Sequence, residues 1–235
     1  MSAIEQNAKA SADFDAKLTQ TCDLLQEAAG QARITQASSL GAEDVVISHL
    51  INALALPIPI FVLDTGALHP ETLQLLAATQ RDSRSPVHVF QPRADAVLAF
   101  VAREGQDAIF KSIALRKACC QIRKMEPLAR ALADKDAWIT GLRREQSGTR
   151  AEVPLIDRSD SARVKFNPLA HWTWGDVWHF IATKKVAYNP RHDQFYPRIG
   201  CAPCTRAISL GEDFRAGRWL WEEETAKECG LHTTT

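Results

Sequence analysis

Residues 33–66 read RITQASSLGAEDVVISHLINALALPIPIFVLDTG, and this stretch is the clearest indication of the architecture. Residues 33–37 are typical of a short strand, and apolar residues then recur at the helical period over residues 45–56. A second apolar strand is predicted over residues 58–63. A strand, a helix and a strand in succession form a right-handed parallel unit, so the stretch predicts an α/β fold.

The same alternation continues on both sides of this unit. We predict further helices over residues 4–29, 69–81, 94–103 and 173–183, and further strands over residues 87–90 and 138–142. This order predicts a Rossmann-like parallel sheet flanked by helices. We expect residues 1–221 to form a single α/β domain that includes a metal-binding C-terminal region. Residues 222–235 have almost no apolar content and are predicted to form a mobile tail.

The composition is that of an ordinary globular protein of 235 residues, of which 46% are hydrophobic and 24% charged. The formal net charge is zero and the sequence has no basic stripe, so we expect no nucleic-acid partner. Residues 1–30 lack a signal-peptide pattern, and the longest apolar run, residues 53–63, is too short to span a bilayer. These features predict a cytoplasmic protein with no membrane partner.

Three polar or glycine-bearing loops, residues 38–44, 64–66 and 142–152, follow predicted strands. Ligands bind at the carboxyl ends of parallel strands, so we expect a small-molecule site where these loops meet. Backbone N–H groups and hydroxyls around Ser38 and Ser39 suit an anion, although serine-rich turns are also common helix caps. The arginines of the third loop suit phosphate or sulfate oxygens, but a solvated charged turn is a competing interpretation.

The cysteines form a more specific pattern. Cys119 and Cys120 are adjacent, and Cys201 and Cys204 form a Cys-x-x-Cys pair. In a reducing compartment such thiols more often bind metal than form disulfides. Neighbouring cysteines suit the spaced corners of an iron–sulfur cluster better than one tetrahedral ion, although a structural zinc site is the alternative. Cys229, near the end of the predicted tail, is a candidate nucleophile.

Seven segments together resemble a known family. In chain order they are SSLGAEDVV, FVLDTG, KACCQIRKMEPL, WITGLRREQSGTR, GCAPCTR, GRWLWE and ECGLH. They are similar to assimilatory adenylyl-sulfate reductases, the iron–sulfur branch of the phosphoadenylyl-sulfate reductase family. The resemblance implies an adenine-nucleotide α-hydrolase-like fold and covers the chain from residue 30 to residue 232.

The resemblance also implies a reaction, with roles in sulfate assimilation and cysteine biosynthesis. The Cys229 thiolate attacks the sulfur of adenosine 5′-phosphosulfate, expels AMP and retains the sulfonate as S-sulfocysteine. Thioredoxin, or a glutaredoxin-like reductant, then reduces that adduct and releases sulfite. Dividing one difficult reduction into two steps is a general advantage of covalent catalysis. A homo-oligomer is compatible with the resemblance.

Residue roles follow from the resemblance position by position. The implied ligands of a [4Fe–4S] cluster are Cys119, Cys120, Cys201 and Cys204. Lys124 matches a lysine between cluster and sulfate, and His232 follows the nucleophile, where it lowers the Cys229 pKa or is simply a solvated tail residue. The implied substrate contacts are Ser38, Ser39, Leu63, Asp64, Thr65, Gly66, Arg143, Arg144, Gln146, Ser147, Arg150, Arg215 and Arg218.

Two alternatives remain open from the sequence. One is a reductase that prefers or also accepts the 3′-phosphorylated substrate, which the four cluster cysteines disfavour. The other is a zinc-stabilised nucleotide-binding module without turnover, which Cys229 disfavours. Pyrophosphatases of the same fold use a Ser-Gly-Gly-x-Asp-Ser loop, and the loop of residues 38–44 departs from it. This departure argues against cleavage of ATP.

Overall fold

The structure is a computed structural model that describes residues 1–146, 150, 152–209, 211–213 and 216–219. Within these residues one six-stranded sheet has the order β3-β2-β1-β4-β6-β5. All neighbouring strands are parallel except β5 and β6, which are antiparallel. The strands are β1 (Ile34–Ser38), β2 (Ile60–Leu63), β3 (Val87–Phe90), β4 (Ala137–Ile139), β5 (Ile156–Asp157) and β6 (Val164–Phe166). The predicted helix-flanked parallel sheet is confirmed.

Helices cover the sheet. They are α1 (Ala3–Asn7), α2 (Phe14–Ala29), α3 (Ala42–Ala53), α4 (Pro70–Asp82), α5 (Ala94–Glu104), α6 (Ala108–Lys111), α7 (Ile113–Cys120), α8 (Glu126–Ala131) and α9 (Trp174–Lys184). A π-helical turn, Gln121–Met125, joins α7 directly to α8. Short 3₁₀ turns occupy Arg144–Gln146, Pro190–Gln194 and Ala202–Cys204. Among the described helices, none combines the length and the apolar character needed to cross a membrane.

The single helix predicted over residues 4–29 is interrupted, because residues 8–13 between α1 and α2 are not helical. There the Lys9 N–H donates to the Gly175 carbonyl at 3.3 Å, and the Ser11 N–H donates to the Asp176 carboxylate at 2.7 Å. Asp176 also belongs to the capping box at the start of α9. The backbone groups that would have continued the helix therefore support the start of α9 instead.

The main core lies between the sheet and helices α2, α3 and α9. Leu25, Ile47 and Ile51 are fully buried in it, together with Trp172 and Trp178. Both tryptophans are therefore core residues. Their rings contact other aromatic rings edge to face, a geometry that stabilises aromatic pairs beyond simple burial.

The sheet topology fixes where a ligand binds. Strands β2 and β3 follow β1 on one side, and β4 pairs with the opposite side of β1. The strand order therefore reverses between β1 and β4, and the loops after these strands diverge there. In open parallel sheets such a reversal leaves a crevice at the carboxyl ends of the strands.

Candidate active site

A cavity of about 240 Å³ lies at this crevice. It is walled by residues from all three predicted loops and by the C-terminal segment that carries the second cysteine pair. The predicted site residues in its wall are Ser38, Ser39, Leu63, Thr65, Lys124, Gln146, Arg150 and Arg218. The structure thus brings together residues that are far apart in sequence.

The loop after β1 is held in shape by Asp44. The backbone N–H and the hydroxyl of Ser39 both donate to the Asp44 carboxylate, at 2.7 and 2.6 Å. The Leu40 N–H donates to the Ser38 hydroxyl at 3.2 Å, and Leu40 has a left-handed backbone with φ of 60°. Burial raises the pKa of Asp44 to about 6 although the Ser39 hydrogen bonds oppose that shift.

Gly141 lets the end of β4 approach the start of α3. A methyl group at Gly141 would lie 2.5 Å from Asp44 Oδ1 and 2.9 Å from Glu43 Cβ. Both distances are shorter than van der Waals contact, so a larger residue would push these two segments apart. The glycine therefore fixes the width of this side of the cavity.

The third loop divides into two parts. Arg143 is 1% exposed, and it donates to Glu43 at 2.9 Å and to Glu145 at 2.8 Å. Gln146 donates to the same Glu43 oxygen at 3.0 Å and lines the cavity together with Arg150. Burial opposes ionisation of Glu43, yet the charge of Arg143 and the hydrogen bond from Gln146 hold the pKa of Glu43 below its usual value. Arg143 thus lies behind the cavity wall and supports it.

Arg144 points to another part of the surface. Its guanidinium donates to the Val153 carbonyl at 2.9 Å and lies in a second, more open groove of about 510 Å³ beside Lys17 and His171. Among the described residues that line this groove, Arg144 is the one predicted site residue. The predicted contacts of Arg143 and Arg144 with a ligand stay predictions.

The loop after β2 connects the sheet to the cysteines. Thr65 is buried, and its hydroxyl lies 3.2 Å from the Cys201 thiol. Arg123 donates to the Thr65 carbonyl at 2.7 Å. Gly66 has a positive φ of 67°, which suits glycine, and Asp64 accepts the Gly66 N–H at 3.0 Å. This loop therefore connects the end of β2 to Cys201 and to the turn that contains Arg123.

Three of the predicted cysteine ligands lie in or against one apolar cluster beside this loop. Cys201 and Cys204 are buried with Trp219 and Ile109, and Cys119 packs against the same cluster from the end of α7. Burial raises the pKa of Cys204 to about 11, and the neighbouring Cys201 adds to the shift. Among the described residues, no three His, Cys, Asp or Glu side chains form a group that could hold a metal ion.

Two cations line the cavity and act on a nearby thiol. Lys124, in the π-helical turn, and Arg218 both line the cavity, and both counteract the rise in the Cys204 pKa that burial causes. π-Helical turns re-aim side chains and are frequent at functional sites. The same positive charges therefore border the cavity and act on the Cys204 sulfur.

Sequence reasoning missed two basic residues of the cavity wall, Arg198 and His192. Arg198 donates to the Gln146 carbonyl at 3.1 Å, and the buried His192 ring lies 2.7 Å from the Tyr196 carbonyl. Both line the cavity. They belong to an irregular, proline-bearing segment without helical or strand period, where the signal was the presence of basic residues just before the second cysteine pair.

Four predicted site residues lie outside the described residues. They are Ser147, Arg215, Cys229 and His232. The predicted tail, residues 222–235, also lies outside them, so the boundary predicted at residue 221 stays a prediction.

Comparison with known proteins indicates the family to which this chain is similar. Residues 33–207 match the model of the phosphoadenosine phosphosulfate reductase domain. Two relatives are named adenosine 5′-phosphosulfate reductase. The relative from Allochromatium vinosum is 52% identical over 85% of this chain and 78% of its own length, and the one from Burkholderia cepacia is 52% identical over 86% and 82%.

Solved structures agree on the fold. Phosphoadenylyl-sulfate reductase from Candida auris superimposes with a TM-score of 0.68 at 22% identity, and covers 86% of this chain and 100% of its own. FMN adenylyltransferase from Candida glabrata superimposes with a TM-score of 0.59 at 12% identity, over 94% of this chain and 80% of its own. The family match and the identity to its members together establish that this chain belongs to the phosphoadenosine phosphosulfate reductase family.

Proposed function

We propose that this protein reduces adenosine 5′-phosphosulfate to sulfite and AMP, with thioredoxin or a glutaredoxin-like protein as the reductant. The relatives at 52% identity are named for this substrate. One structural observation carries the proposal: the cavity has nucleotide-type loops on one side and Lys124 and Arg218, backed by cysteines, on the other. A substrate with a nucleoside at one end and a sulfonyl anion at the other fits that polarity.

The chemistry needs a nucleophile and cationic stabilisation. The Cys229 thiolate attacks the sulfur, the S–O bond to phosphate breaks, and AMP leaves with that electron pair. Lys124 and Arg218 face the cavity, where they stabilise the negative charge that develops on the leaving phosphate and on the sulfonate. Arg150 and Gln146 line the same cavity and orient the nucleotide. Arg143 supports this wall through Glu43.

The second step consumes the reductant. A thioredoxin thiolate attacks the Cys229 sulfur, the S–S bond to the sulfonate breaks, and sulfite leaves. The second thioredoxin thiol then attacks the mixed disulfide and returns Cys229 as a thiolate. Two electrons pass from the dithiol to the sulfur of the substrate, so the step balances without another redox partner. A cytoplasmic location fits this reductant.

We assign Cys119, Cys120, Cys201 and Cys204 to a [4Fe–4S] cluster. The donor set fits by its chemistry, because soft thiols are the usual ligands of such clusters and Cys119 packs against the apolar patch that contains Cys201, Cys204 and Trp219. Cys120 is the next residue of the same helix as Cys119. When bound, the cluster supplies a fixed charge beside Lys124 and Arg218 and anchors the loops around them.

The test is release of labelled sulfite by anaerobically purified protein with thioredoxin. We expect strong preference for adenosine 5′-phosphosulfate over its 3′-phosphorylated form, and loss of release in Cys229→Ser. Cys22→Ser is the matched control, because Cys22 packs against the core on α2. Equal use of both nucleotides would favour the dual-substrate alternative, and absence of sulfite from both would overturn the proposed reaction.

Metal analysis separates the reductase from a zinc-stabilised binding module. We expect iron and acid-labile sulfide in the purified protein and little zinc. If Cys201→Ser kept full turnover without iron, the proposed role of the cluster would be wrong.

A further inference from the structure

Two arginines contact one indole ring beside the cavity. The guanidinium carbons of Arg116 and Arg218 each lie 4.3 Å from the centroid of the Trp219 ring. Trp219 is only 2% exposed, so both contacts are largely shielded from water. A guanidinium over an aromatic face is attracted by the ring quadrupole, and desolvation strengthens that attraction.

Arg116 contacts this ring from α7, the helix that ends with Cys119 and Cys120. It lies on α7, three residues before Cys119, and is 1% exposed. A buried guanidinium is strongly unfavourable unless its charge is compensated. The contact with Trp219 provides part of that compensation and restricts where the ring can lie.

Arg218 reaches the ring from the cavity side. Its backbone pairs antiparallel with Thr205, and its guanidinium packs so closely on Gly200 that an added methyl group there would lie 2.9 Å from Nη1. The backbone N–H of Trp219 donates to the Cys204 carbonyl at 3.4 Å. The guanidinium of Arg218 is therefore confined between Gly200 and the indole ring, on the wall of the cavity.

We propose that Arg116 is a positioning residue that acts through Trp219 to hold Arg218 at the anion-binding end of the cavity. The inference rests on the proposed function, because it names the residue that organises the subsite for the sulfonyl end of the nucleotide. A long arginine side chain loses substantial rotamer freedom when it binds an anion. Fixing Arg218 before the ligand arrives lowers that entropic cost and raises affinity.

Binding measurements in a Cys229→Ser background test this inference without turnover. We expect Arg116→Met to lower the affinity for adenosine 5′-phosphosulfate by about tenfold. The affinity for AMP should fall by much less, because AMP lacks the sulfonyl group. Arg103→Met is the control, since Arg103 is an exposed arginine on α5 that pairs with its neighbour Glu104. An equal loss of affinity for both nucleotides would contradict the inference.

A double-mutant cycle gives the sharper test. If Arg116 acts through Arg218, the double variant Arg116→Met/Arg218→Met binds adenosine 5′-phosphosulfate no more weakly than Arg218→Met alone. Additive losses would show that the two arginines act independently and would overturn the inference. Trp219→Phe replaces Arg116→Met in the same cycle if that variant does not fold.

Iron content excludes the simplest structural explanation. We expect Arg116→Met to retain the iron and labile sulfide of the parent protein. If the variant lost iron together with nucleotide affinity, the lower affinity would be explained by disruption of the cysteine ligands. That result would overturn the inference. If the parent protein does not bind adenosine 5′-phosphosulfate at all, the proposed function itself fails.

Discussion

The two sides of the cavity are built in different ways. On the sheet side, polar groups satisfy one another: Asp44 accepts from Ser39, and Glu43 accepts from Arg143 and Gln146. On the cysteine side, thiols are held in an apolar patch with cations at its edge. The comparison indicates that the polar contacts of the sheet side stabilise the fold. The cysteine side instead leaves two cations on the cavity wall, where we propose that a charged ligand binds.

The largest effect should come from breaking the buried charges of the sheet side. Arg143→Met removes the partner of Glu43 and Glu145, so we expect a loss of about 3–5 kcal/mol in the free energy of unfolding. Arg144→Met is the neighbouring control, and should lose less than about 1 kcal/mol. Denaturant titration measures both. Equal losses would mean that burial of Arg143 does not distinguish the two arginines.

Asp44 should give the sheet side a characteristic pH dependence. Burial raises the pKa of this carboxyl to about 6, so the folded protein binds more protons than the unfolded chain between roughly pH 4 and pH 6. The free energy of unfolding should therefore fall by up to about 3 kcal/mol as the pH rises through this window, relative to Asp44→Asn.

Unfolding titrations at several pH values check this prediction. Asp15→Asn is the control, because Asp15 is exposed on α2. The idea fails if the difference between the parent protein and Asp44→Asn is independent of pH.

Gly141 tests how tightly the sheet side is closed. Gly141→Ala places a methyl group 2.5 Å from Asp44 Oδ1, so we expect a loss of about 1–3 kcal/mol and weaker nucleotide binding. Thermal unfolding and AMP titration measure the two effects. Gly30→Ala is the control, because its added methyl group meets its nearest atom at 3.2 Å and its φ is −72°. A stable Gly141→Ala variant with full affinity would show that the two segments separate easily.

The smallest effect is expected on the cysteine side. Thr65→Val removes the hydroxyl that contacts Cys201 and accepts the Ala67 N–H, and should lose about 1 kcal/mol in the free energy of unfolding. Thr19→Val, whose hydroxyl bonds within α2, is the control. A loss as large as that of Arg143→Met would remove the contrast between the two sides.

The sheet was largely predictable because its signal is local. Apolar runs bounded by prolines and polar loops located β2 and β3, and β3 was placed without error at Val87–Phe90. Short elements were missed, among them β5 and β6, which have two and three residues and depend on pairing with each other and with β4. Helices α6 to α8 were also missed. Helix α6 has only four residues, and the π-helical turn between α7 and α8 shifts the phase of the apolar pattern along that helical stretch.

The site was predictable where chemistry and strand ends coincide. Ser38, Thr65 and the cysteines belong to motifs that can be recognised in the sequence alone. Burial is not visible in a motif, so Arg143 looked like Arg150 of the same loop, although Arg143 supports the cavity wall and Arg150 forms part of it. His192 and Arg198 belong to the irregular segment after α9, and sequence period contains no information on where that segment lies.

The π-helical turn Gln121–Met125 sets the orientation of α8 relative to α7. A regular helix advances about 100° per residue, so one extra residue in a turn shifts the angular phase of everything that follows. Leu128 and Ala131 of α8 pack on the sheet, while Cys119 faces the second cysteine pair. Deleting one residue from the turn would rotate α8 relative to α7 by about 100°, so that Leu128 and Cys119 could not both keep their contacts. The length of this segment is therefore as constrained as the identity of its residues.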